Sequence, residues 1–159
     1  LTPSLYLTGG DDAHLFLETV RRAEDLGLSA IWLAEGPGLF LNPAVLASAA
    51  AVATRKIFLR GCLALPLHNP IRVAEEWALV DNLSGGRAGI AVEDAAGVET
   101  VRRLWRGEAV RVPDGEGREV EVRILPRPIQ PELPLLSVDQ TALRTDLAGA
   151  LELLESLRG

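Results

Sequence analysis

The sequence predicts an α/β fold in which short buried strands alternate with amphipathic helices. Three observations carry that prediction. Apolar runs and helical repeats follow one another along the chain, the pattern of βα units. Cap residues punctuate the helices, with Asn42-Pro43 and Asn69-Pro70 at starts and Gly27 and Gly85-Gly86 at ends. The length, 159 residues, suffices for one domain with a real core, so residues 1–159 are read as a single domain.

Residues 5–8 read as a first strand, ended by Gly9-Gly10. Asp11 or Asp12 caps the helix that follows, where Ala13, Phe16, Leu17, Val20 and Ala23 recur at helical spacing until Gly27 closes it. Residues 30–34 form a second strand around Ile31-Trp32-Leu33. The next helix, from Asn42-Pro43 through Val52, is nearly all Ala and Val and must pack closely against its neighbours. Residues 57–63 make a third strand, and Pro70 opens a helix with Val73, Ala74, Trp77 and Val80 on one face. Residues 88–92 are the fourth strand, followed by a helix carrying Val98, Val101, Leu104 and Trp105.

There the rhythm changes to period two. Val110, Val112, Val120, Val122 and Ile124 flank Pro113-Asp114-Gly115-Glu116-Gly117, which predicts a hairpin within about residues 108–125 with one apolar face. A proline-rich stretch leads to a fifth buried strand at residues 135–138. A final amphipathic helix carries Leu143, Leu147, Leu151, Leu154 and Leu157.

Composition excludes several function classes. The net charge is -6 with no strongly basic face, which argues against a nucleic-acid groove. No apolar run approaches the roughly 20 residues of a membrane span, and the N-terminus lacks a secretion signal, so the expected compartment is the cytoplasm. Cys62 is the one cysteine, which leaves no internal disulfide and no thiolate metal cluster. Arg outnumbers the single Lys56, as GC-rich bacterial codon usage would produce. A chain that starts at Leu1 and contains no Met reads as a domain cut from a longer polypeptide.

Two stretches carry a family resemblance. Residues 65–87, LPLHNPIRVAEEWALVDNLSGGR, resemble the segment joining the third and fourth strands of bacterial-luciferase-like flavin-dependent monooxygenases. Residues 97–134, GVETVRRLWRGEAVRVPDGEGREVEVRILPRPIQPELP, are similar to the branch of that family associated with polyketide and nonribosomal-peptide assembly lines. The resemblance implies a (β/α)8 barrel, a fold of about 250 residues. About five βα units are present, so the expected architecture is a partial, TIM-like barrel with a β-hairpin insertion. Within the matching helix, Glu75, Glu76 and Asp81 are placed on the polar side opposite Trp77.

Departures from the family pattern fall at the strand ends, where barrel enzymes keep their chemistry. After the second strand the family has a Glu and then a His-containing loop over the flavin. Here Glu35 persists, but Gly36-Pro37-Gly38-Leu39-Phe40 brings no histidine. After the fourth strand, Glu93-Asp94-Ala95 runs almost at once into the next helix, where related domains carry a Gly-Trp-His loop. No recognisable phosphate site or positioned acid–base residue remains, so no catalytic, cofactor-binding or metal-binding residue is assigned, and no cofactor is expected.

Individual residues receive structural readings first. Glu35 reads as a carboxylate capping a loop, with catalysis the alternative. His68, at a strand-to-helix junction, reads as a hydrogen-bonding surface residue, with ligand contact the alternative. His14 is structural, and two distant histidines without supporting cysteines do not suggest zinc. Cys62 reads as a small core residue rather than a reactive thiol. Gly9-Gly10 and Gly85-Gly86 lack phosphate-loop spacing, and Arg102, Arg103 and Arg106 form a solvated basic patch that an acidic partner domain could also meet.

The expected function is therefore a non-catalytic scaffold or interaction domain, a pseudoenzyme of a natural-product assembly line. Its expected partners are a second copy or an adjacent synthase domain, docking on the last helix's leucine face or the hairpin. The alternative is a shortened FMN-dependent monooxygenase or flavin-binding protein.

Overall fold

Parallel strands covered by helices form the framework of the computed structural model, which describes residues 2–35, 42–92 and 96–158. The elements are β1 (Leu5–Leu7), α1 (Ala13–Asp25), β2 (Ala30–Ala34), α2 (Pro43–Ala53), β3 (Phe58–Leu63), α3 (Pro70–Ser84), β4 (Ala88–Val92), α4 (Val98–Trp105), β5 (Val110–Pro113), β6 (Glu119–Val122), β7 (Leu143–Thr145) and α5 (Leu147–Ser156). The main sheet runs β4-β3-β2-β1-β7, all parallel, and β5 and β6 pair antiparallel as the hairpin. This is the α/β, partial-barrel architecture expected.

Alternation along each strand sorts residues between two layers. Leu5, Leu7, Ile31, Leu33, Leu59 and Ile90 face the helices, where they meet Phe16, Val20 and Trp77 in the main core. The opposite, inner face carries Trp32, Cys62 and Ala91, closed over by Ala142 with Tyr6, Leu136 and Val138 alongside. Gly61 sits where a Cβ would collide with the Trp77 ring, so α3 approaches β3 more closely than any side chain would permit.

The caps work as the sequence indicates. Asp12 rather than Asp11 caps α1, accepting from the backbone N–H groups of His14 and Leu15. Asn42 and Asn69 cap α2 and α3 with Pro at the first turn, and Gly85 ends α3 in the left-handed conformation at φ 70°.

Four expectations need correction. Residues 135–138 are not a strand: only Leu135 bridges to Ile90, with Ile90 N–H donating to Pro134 O and Leu136 N–H to Ile90 O. The chain then leaves β4 and crosses the inner face, which Leu136 and Val138 help to fill. Leu143 belongs to β7, not to the last helix, because its N–H donates to Ser4 O at 2.8 Å and Asp146 caps α5 only afterwards. The leucine face of α5 is spent inside the chain, with Leu147 and Leu154 buried in the main core as α5 packs on α1. Helix α2 buries Ala44, Ala47, Ala50 and Ala51, yet leaves Val45 61% and Val52 70% exposed. Close packing thus covers only one side of it.

Asp81 is also misplaced by the sequence reading. It is fully buried and accepts from Ile129 N–H (2.7 Å), Gln130 N–H (2.9 Å) and the Gln130 side-chain amide (2.6 Å). It fastens the proline-rich strap to α3. Among the described residues, no helix is long and apolar enough to cross a membrane.

Candidate functional site

The carboxyl ends of β2 and β3 bring together two residues that sequence reasoning treated separately. The β2–β3 ladder extends one residue past β2, where Glu35 N–H donates to Cys62 O at 3.2 Å and fixes the Glu35 backbone. After β3 the chain makes a tight 3-10 turn over Leu65–Leu67, in which His68 N–H donates to Leu65 O at 2.9 Å. That turn folds His68 back toward β2. Its Nε2 lies 2.6 Å from Glu35 Oε1, with the side chains 31% and 10% exposed respectively. The other carboxylate oxygen, Oε2, accepts from Ala64 N–H at 3.0 Å.

The pair borders a cleft of about 200 Å³ between the starts of α2 and α3. Leu63, Val73 and Trp77 give it an apolar floor, and Asn42, Arg72 and Glu76 stand on its rim. Arg72 is turned to Glu75 at 2.8 Å. A histidine backed by a carboxylate, partly exposed at strand ends, can accept or donate a proton to a bound ligand. The sequence signal was available: both residues follow predicted strands, and adjacent parallel strands bring their carboxyl ends side by side. The sequence reading took Glu35 as a loop-capping carboxylate and His68 as a surface residue, each by itself, and did not bring them together. Residues 36–40 and 93–95, where the loop departures were read, lie outside the described residues.

The remaining residues singled out in the sequence fall elsewhere. His14 is exposed on α1, on the side that borders Leu151 and Glu155 of α5. Cys62 is buried on the inner face beside Tyr6. Burial pushes the Tyr6 phenol above its ordinary range and Cys62 adds to this, while Arg144, 4.2 Å over the ring, opposes it. Gly10 packs against Leu147, where a Cβ would collide, and Gly9 O accepts from Leu147 N–H, so this turn seats α5. Arg103 and Arg106 are paired with Glu108 and Glu132 at 3.0 and 2.8 Å, which neutralises much of the basic patch.

A flavin can be tested against this geometry. Enclosed ligand pockets usually measure about 300–1,000 Å³, so a cleft of about 200 Å³ holds part of such a molecule and does not enclose it. By themselves the described residues offer such a molecule an apolar floor and a polar rim and leave it unenclosed.

Comparison with known proteins agrees with the fold. The luciferase-like monooxygenase family matches residues 2–92. Limonene 1,2-monooxygenase from Rhodococcus erythropolis is 38% identical over 79 residues, covering 46% of this chain and 20% of that protein. The monooxygenase RslO1 from Streptomyces bottropensis superposes with a TM-score of 0.68 at 26% identity, over 84% of this chain and 51% of the other. The oxygenating constituent of 3,6-diketocamphane monooxygenase from Pseudomonas putida, solved with FMN, superposes at 0.61 with 15% identity, over 92% of this chain and 48% of that one. The chain spans about half the length of these structural neighbours and a fifth of the curated relative.

Proposed function

Because the chain belongs to the luciferase-like monooxygenase family, we propose that it supplies one wall of a flavin-dependent monooxygenase site at the carboxyl ends of its strands. The observation that carries this reading is the Glu35–His68 pair held at 2.6 Å beside the strand-end cleft. FMN is the proposed cofactor, in place of the expectation of none, because structural neighbours are described with flavin bound. When bound, the flavin supplies the redox chemistry. Glu35 and His68 contribute a proton site facing the ligand, and Leu63, Val73 and Trp77 keep water from its apolar side.

The rest of the enclosure comes from a second copy or a further polypeptide. The exposed Val45 and Val52 on α2 support such a partner, since an uncharged helix is seldom left half bare. A second reading, a non-catalytic scaffold within a polyketide or nonribosomal-peptide assembly line, is favoured by the small volume of the cleft.

Titration of FMN with the purified chain separates the two, with sedimentation run in parallel. The monooxygenase reading expects quenched flavin fluorescence at protein concentrations on the order of tens of micromolar, weakened in His68→Leu. Unquenched FMN at every protein concentration, in both monomer and oligomer fractions, leaves the scaffold reading in its place.

A further inference from the structure

We infer that Arg60 and Trp32 form a site for a carboxylate group on the inner face of the sheet, among residues that do not line the strand-end cleft. Arg60 grips the carboxylate through its guanidinium, and the Trp32 indole N–H is the second donor.

The two residues are register partners on neighbouring strands, so their side chains leave the sheet side by side on one face. The Arg60 guanidinium stacks over the Trp32 ring at 5.0 Å and over the Phe58 ring at 5.6 Å. Stacking on aromatic faces orients a guanidinium and leaves its N–H edge open for an acceptor. That edge meets none: Arg60 Nε is buried without a hydrogen-bond partner, and so is Nε1 of the fully buried Trp32. Buried donors are satisfied in nearly all folded proteins, and two orphans in adjacent register positions call for one acceptor that serves both. Phe58 is 44% exposed, so the stack is open to solvent along one side.

Charge decides the kind of acceptor. Burial pulls the Arg60 pKa below the ordinary guanidinium value, and Asp139 opposes that pull from a distance. Asp139 does not close the pair, because its oxygens accept from the Ser4 hydroxyl at 2.7 Å and from the Thr141 N–H and hydroxyl at 2.9 and 2.7 Å. The same row continues through Tyr6 to Arg144, which stacks 4.2 Å over the Tyr6 ring. Among the described residues neither arginine forms an ion pair. A desolvated cation without a counter-ion favours an anion, and the planar fork of Arg matches a carboxylate in two parallel hydrogen bonds. The nearby Asp139 charge disfavours a dianion, which selects a carboxylate over a phosphate. The carboxylate comes either from a free small acid or from an Asp or Glu side chain of a second copy.

The Trp32 indole N–H signal reads the site directly in ¹⁵N-labelled protein at a pH of about 7, where acetate and Arg are both ionised. Acetate, exchanged for chloride at constant ionic strength, should move this signal downfield and saturably. The Trp105 indole, already bonded to Gln130 O at 2.9 Å, should stay in place. Methyl acetate, similar in shape and uncharged, should move neither. Arg60→Met, which keeps the length and loses the charge, should weaken the acetate response about tenfold or more. Arg60→Lys, which keeps the charge and loses the fork, should weaken it too. An unchanged Trp105 signal reports that each variant is folded.

Sedimentation separates the two sources. For a free acid, acetate moves the Trp32 signal in monomeric protein. For a side chain of a second copy, the signal stands downfield without acetate in an oligomer, and Arg60→Met dissociates that oligomer and returns the signal upfield. A monomer whose Trp32 signal ignores acetate, equal responses to acetate and methyl acetate, or an acetate response unchanged in Arg60→Met would each overturn the inference. If Arg60→Met unfolds, Arg60→Lys and the wild-type comparison of acetate with methyl acetate decide the matter.

Discussion

Replacing Asp81 by Ala should detach the proline-rich strap from α3 and cost about 2–4 kcal/mol. The carboxylate is fully buried and accepts three N–H groups, two from the backbone of Ile129 and Gln130 and one from the Gln130 side chain, at 2.6–2.9 Å. Hydrogen bonds to charged groups contribute about 1.5–3 kcal/mol each. Three such bonds set an upper range, which two effects reduce. Ile129 is exposed, so water reaches some of the freed donors, and alanine no longer has to desolvate a charge. Since whole domains are stable by about 5–15 kcal/mol, the loss is a large fraction. In urea, where slopes are about 1–3 kcal/mol per molar, the midpoint should fall by roughly 1–2 M. Trp105 is the local reporter, because its indole N–H donates to Gln130 O at 2.9 Å. Its emission should move to the red before global unfolding, and the amides of Ile129 and Gln130 should lose protection against exchange. A midpoint within roughly 0.3 M of wild type, with unchanged protection at these two amides, would refute the reasoning.

Two further outcomes follow from the scaffold. Gly61→Ala drives a methyl into the Trp77 ring. Overpacking of this kind costs about 1–3 kcal/mol, read as a fall in Tm of several degrees, and Trp77→Leu in the same chain should recover part of it. Glu24 gives a pH signature. Burial alone would raise its pKa, but the backbone N–H groups of Ile57, Lys56 and Arg55 outweigh that and hold it below the ordinary carboxylate value. A folded-state value below the unfolded one means the stabilisation is full at neutral pH and is lost as pH falls through the folded value. The stability gap between wild type and Glu24→Gln, measured by urea unfolding, should therefore be constant from neutral pH to about 5 and close below about 4. A gap that widens on acidification would contradict this.

Elements with local signals were legible in the sequence, and those decided by distant partners were not. Asn42-Pro43, Asn69-Pro70 and Gly85 carry their conformational preferences within a few residues, and all three fall where expected. Leu143 was drawn into a helix because it continues a leucine spacing. Only pairing with Ser4, far away in the chain, makes it a strand. Residues 135–138 failed for the opposite reason, since an apolar run promises burial but not the ladder that would make it a strand. Asp81 could have been found. It lies four residues after Trp77 and seven after Ala74, on the buried stripe of α3, and a carboxylate there demands donors from another element. The Glu35–His68 pair was half legible: strand order puts the two ends side by side, but the turn that folds His68 back is a matter of local geometry after β3.

The route of residues 134–145 closes over the inner face of the sheet. The segment bonds β4 at Ile90, descends past Gly89 and Ala91, and reaches Ser4, whose hydroxyl donates to Asp139 at 2.7 Å. Ser4 lies one residue before β1, so the strap passes beneath the amino ends of the strands before rising again as β7 beside β1. Arg60, stacked 5.0 Å over Trp32 and 5.6 Å from Phe58, lies at that same lower level and is drawn toward Asp139. The inner face is thus filled by Leu136, Val138 and Ala142, a role that side chains from further strands play in a complete barrel. A strap bonded both to Ile90 and to Ser4 ties the β4 edge of the sheet to the start of β1, and so stabilises the half barrel where further strands are not present among the described residues.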